Sequence, residues 1–254
     1  MIWVKDSQDI EAMRQSGRIT ASLLTYLEKQ IEPGISTLEL NDMAELYINK
    51  NGGKAAFKNY HGFPKSICTS VNSVVVHGIP GNEILHEGDI ISIDVGVCLD
   101  GYYSDAARTF PVGKISQEAQ KLIDTAKACF FAGLDKAIDG NRIGDISAAV
   151  QGVAEAEEYG VVRELVGHGI GRALHEDPDV PNFGTAGRGV RLRTGMTLAI
   201  EPMICAGSHK VIVMDDGWTI KTCDGSLAAH YENTVAITDT EAEILTISPR
   251  KLQR

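Results

Sequence analysis

Four acids and one histidine, Asp94, Asp105, His168, Glu201 and Glu232, are the residues whose types and settings best suit chemistry in this sequence. Asp94 ends the apolar run Gly88-Asp89-Ile90-Ile91-Ser92-Ile93, and Asp105 follows Asp100-Gly101, a dipeptide that favours a two-residue hairpin turn. Such a turn sets Asp105 opposite Gly96 and Asp94 diagonal to it on the same face, roughly 7 to 8 Å away. Beside Ile91, Ile93 and Val95 that patch would be buried, where like charges repel and each is costly to desolvate. A bound cation removes the conflict. A three-residue loop would instead place the acids on opposite faces, and two solvated hairpin acids are the plainer alternative.

The second half of the chain adds weight. Gly167-His168-Gly169-Ile170-Gly171 surrounds an imidazole with residues that offer backbone freedom and room for close approach. Glu201 precedes Pro202, which holds it extended at a strand end, and Glu232 opens a last apolar strand through Ile237. Taken singly, a histidine beside glycines is more often a satisfied core or turn residue, and a strand-end acid usually faces water. Their places repeat, however. His77-Gly78-Ile79 recurs as His168-Gly169-Ile170, and the Gly88 to Asp94 run recurs as Gly195-Met196-Thr197-Leu198-Ala199-Ile200-Glu201. Four carboxylates and one imidazole make a mostly hard, oxygen-rich donor set, suited to Mn(II), Fe(II), Co(II) or a catalytic Zn(II). So many acids suggest two ions sharing ligands, which in such centres lie about 3.5 to 4 Å apart and generate a hydroxide from a bridging water near neutral pH.

The elements that must position these groups fall into two similar sets. Apolar positions from Asp6 to Ile31 recur at helical spacing and stop at Pro33-Gly34; Ser36 and Glu39 form a capping-box pattern before a second helix ended by Gly52-Gly53. A broken β pattern from Ile67 to Val76 precedes strands from Ile90 to Val97 and from Tyr102 to Phe110. Helices are expected again from about Ser116 to Ala137 and from Asp145 to about Tyr159, with strands through most of the remainder. The chain is therefore expected to be one catalytic domain over residues 1–254, built of pseudo-repeat halves at about 6–110 and 115–240. Each half would contribute two helices, a His-Gly-Ile strand, a strand ending in an acid and a hairpin carrying a second acid.

Bulk properties narrow the function class. With 254 residues, 43% of them apolar, the chain can bury a substantial core. A formal net charge of -10 argues against nucleic acid or anionic membrane as a primary partner. Five cysteines, an odd number and widely spaced, fit neither a disulfide framework nor a structural zinc site and point to a reducing cytosol. No apolar run approaches the roughly 20 residues of a membrane span, and the start of the chain lacks a signal-peptide core. A cytoplasmic protein, and a monomer, is expected.

With these residues in view, the sequence resembles the methionine aminopeptidases of the short bacterial type I class. The carriers are Tyr60-His61-Gly62-Phe63-Pro64-Lys65-Ser66, Val75-Val76-His77-Gly78-Ile79-Pro80, Asp94-Val95-Gly96 with Asp105, Gly167 to Arg172 followed by His175-Glu176, Ile200-Glu201-Pro202, and Tyr231-Glu232. The resemblance implies an α+β pita-bread (creatinase/aminopeptidase) fold, with helices packed on a curved, mainly antiparallel sheet. It implies removal of the N-terminal methionine from peptides and nascent proteins, with a small second residue preferred, and two divalent cations. Asp94 would chelate one ion, Asp105 and Glu232 bridge both, and His168 with Glu201 complete the second. Glu201 would also serve as general base, His77 would meet the scissile amide nitrogen, and His175 would stabilise the oxyanion, a task needing a donor aimed at the growing charge. The methionine pocket carries over to Tyr60, Phe63, Cys68, His77, Leu174, His175 and Trp218.

Some positions depart from the family pattern. Leu174 stands where an aromatic is expected, Phe63 where tyrosine is common, and Phe57 where a small residue or cysteine often sits. His230 and Asn233 replace what is more often glutamine and histidine. These changes leave the metal residues intact and bear on substrate preference. Core packing is the alternative role for Phe57 and Phe63, less so for Trp218 in the polar run Asp215-Asp216-Gly217. The resemblance leaves room for a transient ribosome contact that would bring nascent chains to the site.

Two rival readings stay open. Xaa-Pro aminopeptidases and prolidases share the ligand types but usually carry a large preceding domain, whereas here the pattern begins within a few residues of Met1. Only 31 positions separate Glu201 from Glu232, which excludes the long helical insertion of the type II class. Fold relatives that have lost their ligands act as binding or scaffold proteins; five intact positions oppose that reading.

Overall fold

The computed structural model describes residues 2–247. Helices α1 (Ser7–Glu28) and α2 (Thr37–Lys50) lead into strands β1 (Lys54–Ala55), β2 (Cys68–Val71), β3 (Val74–Val76), β4 (Ile90–Leu99) and β5 (Tyr102–Pro111). The order then returns: α3 (Gln117–Leu134), α4 (Ile143–Ala156), β6 (Gly160–Val161), β7 (Val166–Gly169), β8 (Glu176–Pro181) and β9 (Thr197–Ile200). Short strands complete it, β10 (Met203–Cys205), β11 (Val211–Val213), β12 (Ile220–Thr222), β13 (Ala228–His230), β14 (Asn233–Ala236) and β15 (Glu243–Ile244).

Local chemistry explains most boundaries. At the start of α2 the Ser36 hydroxyl accepts from the Glu39 N–H at 3.2 Å while the Glu39 carboxylate accepts from the Ser36 N–H at 2.8 Å, the expected capping box. Helix α1 ends at Glu28, short of the expected Ile31. Helix α4 starts at Ile143, two residues before the expected Asp145. The reason is that Asp145 is the third helical residue, its carboxylate accepting from the Arg142 N–H at 2.7 Å, and an acid there resembles an N-cap when only letters are visible.

The hairpin of β4 and β5 turns on Asp100 and Gly101, both with positive φ (50° and 82°), which suits a two-residue type I′ turn. Its register pairs Gly96 with Asp105 and Asp94 with Ala107. Antiparallel pairing joins β2, β1 and β5 to β4, and joins β14 and β7 to β9, with β8 and β15 outside them. Alternation then divides each central strand. Ile91, Ile93, Val95 and Val97 of β4 pack with Leu23 and Leu27 of α1 and Leu40 and Ile48 of α2. Leu198 and Ile200 of β9 pack with Leu122 and Phe130 of α3 and Ile146 and Val150 of α4. The opposite faces, carrying Asp94 on one strand and Ala199 followed by Glu201 on the other, are left for the site.

One expected equivalence fails. His168 lies in β7, which pairs with β9, but His77 lies just past β3, with φ 59°, and β3 pairs with β12. The strand that pairs with β4 as β7 pairs with β9 is β2, which carries Cys68 opposite Asp94. The repeated letters His-Gly-Ile therefore mark different places in the topology. Strand pairing is decided by tertiary contacts that short identical motifs do not encode.

Candidate metal centre

Cross-sheet clips bring the five groups together. The Thr234 hydroxyl donates to the Asp105 carbonyl at 2.9 Å and accepts from the Asp105 N–H at 2.9 Å, fastening β14 to β5. The Glu232 N–H donates to the Ala107 carbonyl at 2.9 Å. Glu232 itself lies between β13 and β14, one residue before the strand it was expected to open. Arg108 is turned to the backbone: its guanidinium donates to the Glu232 carbonyl and to Asn233 Oδ1, and lies 4.0 Å from the Tyr231 ring centre. That cation fixes the segment and leaves the acid side chains to one another.

His168 is held by Nδ1, which lies 2.8 Å from the Gly169 carbonyl, so its Nε2 faces the cluster 3.7 Å from Glu201 Oε1. Glycines beside it supply room rather than the backbone freedom expected. Gly167 and Gly169 have ordinary φ values, but a Cβ on them would lie 2.4 Å from the Ala199 carbonyl oxygen and 2.2 Å from that of Asp177. Two groups of potential ligand atoms result, each within 4.8 Å: Asp105, His168 and Glu232, and Asp94, His230 and Glu232.

The electrostatics favour a cation. Burial first, then the neighbouring acids, pushes Asp105 and Glu232 well above the ordinary carboxylate range, and burial followed by Asp94 does the same to Glu201. Burial lifts Asp94 to about 7. The imidazoles move the other way, His168 and His230 to about 3 and His77 to about 4, burial being the first cause in each, so all are neutral donors near pH 7. Asp94 Oδ1 and Asp105 Oδ1 are shut from solvent with no hydrogen-bond partner among the described residues. Buried polar atoms are normally paired, and unpaired carboxylate oxygens facing one another are what a divalent cation would satisfy.

Beside the acids opens a cavity of about 760 Å³. All the residues expected at the methionine pocket line it: Tyr60, Phe63, Cys68, His77, Leu174, His175 and Trp218. Phe63 meets Trp218 edge to face with ring centres 5.2 Å apart. Phe57 also lines the cavity and is 8% exposed; a Cβ on Gly96 would lie 2.5 Å from its ring, so this glycine makes room for the aromatic. His175 Nδ1 lies 2.8 Å from the Tyr60 hydroxyl, and its ring stands edge to face with His168 at 4.2 Å.

Three features escaped sequence reasoning. His230 joins the acids; its separation of two from Glu232 in extended chain, which places both on one face, was the available signal. Glu176 anchors the loop bearing Leu174 and His175, accepting from the Arg172 and Ala173 N–H groups at 2.7 and 3.1 Å. Lys5 closes that anchor with its Nζ 2.5 Å from Glu176 Oε2, a pair 171 residues apart that no local pattern announces.

Set against known proteins, residues 11–239 match metallopeptidase family M24. Methionine aminopeptidase of Clostridium perfringens is 54% identical over 247 residues, covering 97% of this chain and 99% of that protein. The chain belongs to the methionine aminopeptidases of metallopeptidase family M24. The likeness to full-length bacterial members places it with the type I form. Crystal structures of methionine aminopeptidases from Rickettsia prowazekii and Thermotoga maritima superpose with a TM-score of 0.96 each. They are 41% and 42% identical, covering 97% and 98% of this chain and all of theirs. The fold is accordingly the α+β pita-bread fold of this metallopeptidase family. No helix among the described residues is long and apolar enough to cross a membrane.

Proposed function

We propose that this chain removes N-terminal methionine from peptides and nascent proteins, preferring a small second residue, with two divalent cations held by Asp94, Asp105, His168, Glu201 and Glu232. The observation that carries the reading is a buried acid cluster in the wall of a cavity whose lining also includes Phe57, Phe63, Cys68, Leu174 and Trp218. An apolar pocket of this kind suits a flexible thioether and excludes charge. Bound divalent ions would supply Lewis acidity and lower the pKa of water at the site. Their identity lies among Mn, Fe, Co and Zn. The same reading treats residues 6–110 and 115–240 as two halves of one catalytic domain, supported by the Thr234 to Asp105 clip.

The remaining steps belong to side chains. Glu201, lifted by burial, is suited to take a proton from the attacking water and return it to the leaving amine. His175, steadied by Tyr60, would donate to the developing oxyanion, and His77, half-buried and neutral, would meet the scissile amide nitrogen. The five cysteines stand as free thiols, which supports work in a reducing cytosol. The test incubates purified protein with each metal and measures release of the first residue from Met-Ala-Ser, Met-Lys-Ser, Leu-Ala-Ser and Ala-Pro-Ser. Met-Ala-Ser should be cleaved best. Efficient cleavage of Met-Lys-Ser, or of Ala-Pro-Ser in preference, would overturn the assignment.

A further inference from the structure

We infer that His230 is an additional metal ligand, giving the Asp94 side of the centre an imidazole of its own. The inference rests on the two-cation reading and extends its donor set. His230 pairs with Met203 across β13 and β10, and Met203 lines the cavity, so the ring is turned toward the acids. Its Nε2 lies 3.7 Å from Glu201 Oε2 and 3.8 Å from Glu232 Oε2. With Asp94 and Glu232 it offers three ligand atoms within 4.8 Å of one another.

A buried histidine is ordinarily accounted for by hydrogen bonds within the core, and that explanation fails here. The residue is 1% exposed, yet among the described residues neither Nδ1 nor Nε2 has a hydrogen-bond partner. Its backbone, by contrast, is secured: the N–H donates to Thr109 Oγ1 at 2.9 Å and the carbonyl accepts from the same hydroxyl at 2.9 Å. Thr109 is tied in turn to Ser92 at 2.7 Å, so the histidine is mounted rigidly on the hairpin that carries Asp94 and Asp105. A ring so mounted and so unpaired is available to a cation.

The two groups of ligand atoms then become alike. Asp105 and His168 complete one, Asp94 and His230 the other, and Glu232 belongs to both. An imidazole in place of an all-oxygen set moves the Asp94 side toward borderline cations such as Co(II) and Zn(II) and away from Mn(II).

Cobalt tests this directly. Apo protein is titrated with Co(II) and followed by calorimetry and by proton NMR, where each cobalt-bound imidazole contributes one strongly shifted exchangeable ring N–H signal. Wild type should show two such signals when both sites are filled; His230→Gln should keep one and weaken one binding step about 10- to 100-fold. His168→Gln should lose the other signal. Two signals retained in His230→Gln, with both affinities unchanged, would overturn the inference, as would one wild-type signal that persists in that variant. Absence of cobalt uptake by wild type would overturn the two-cation reading itself, a different outcome from one persistent signal. Should the variants fail to fold, the wild-type signal count alone decides between one and two imidazole ligands.

Discussion

Metal uptake by this chain should release protons, so that apparent affinity for divalent ions climbs with pH through neutrality. Asp94 titrates at about 7, and Asp105, Glu201 and Glu232 are pushed well above their usual range by burial and by one another. Near pH 6.5 a group with a pKa of about 7 holds about three quarters of a proton. Because the four acids interact, the protons belong to the cluster as a whole, and filling it with cations should displace them. The sign follows from the raised values: below them the acids are protonated and the cation must compete with protons, above them it need not. His77, His168 and His230, depressed to between about 3 and 4, are neutral throughout this range and contribute none. Apparent affinity should therefore rise about 5-fold between about pH 6 and 7 from Asp94 alone, or about 1 kcal/mol, and further with any protons held by the other acids. Calorimetric titration with Mn(II), repeated in buffers of different ionisation enthalpy, reads both the proton release and the slope. Binding with no proton release and no dependence on pH across this range would refute the idea that burial raises these acids.

Replacing Asp105 by Asn should abolish turnover and lower metal content, because the group removed supplies negative charge to the cluster proposed to hold the cations; near-normal metal content with substantial activity would contradict this. The histidine variants should diverge. His168→Ala should lose affinity for one ion by calorimetry, while His175→Ala should keep both and lose kcat on the order of 10²- to 10³-fold, the usual cost of one oxyanion donor. A pure KM effect in His175→Ala would remove it from that role. Gly169→Ala should destabilise the fold by about 1–3 kcal/mol in urea, since the added Cβ would lie 2.2 Å from the Asp177 carbonyl oxygen and backbone cannot yield cheaply. An unchanged midpoint would mean that β7 and β8 can separate without penalty.

Local rules were enough for what lies close in the chain. Asp100-Gly101 set the hairpin register, and a period of two then put Asp94 and Asp105 on one face with Ile91, Ile93 and Val95 on the other. Ser36 with Glu39 announced α2, because a capping box spans only three residues. Their settings and the internal repeat singled out His168, Glu201 and Glu232, and the family resemblance assigned their roles. Their meeting depends on bonds between distant strands: Thr234 to Asp105 across 129 residues, and Glu232 to Ala107. The same distance effect hid the Lys5 to Glu176 anchor, and it separated His77 from His168 despite their matching letters. His230 was visible in the sequence only as an unusual residue beside Glu232. Whether it was a packed core histidine or a donor turned toward the acids depended on what surrounded its ring nitrogens. Neighbours in space decide that, and among the described residues both nitrogens stand unpaired beside three carboxylates.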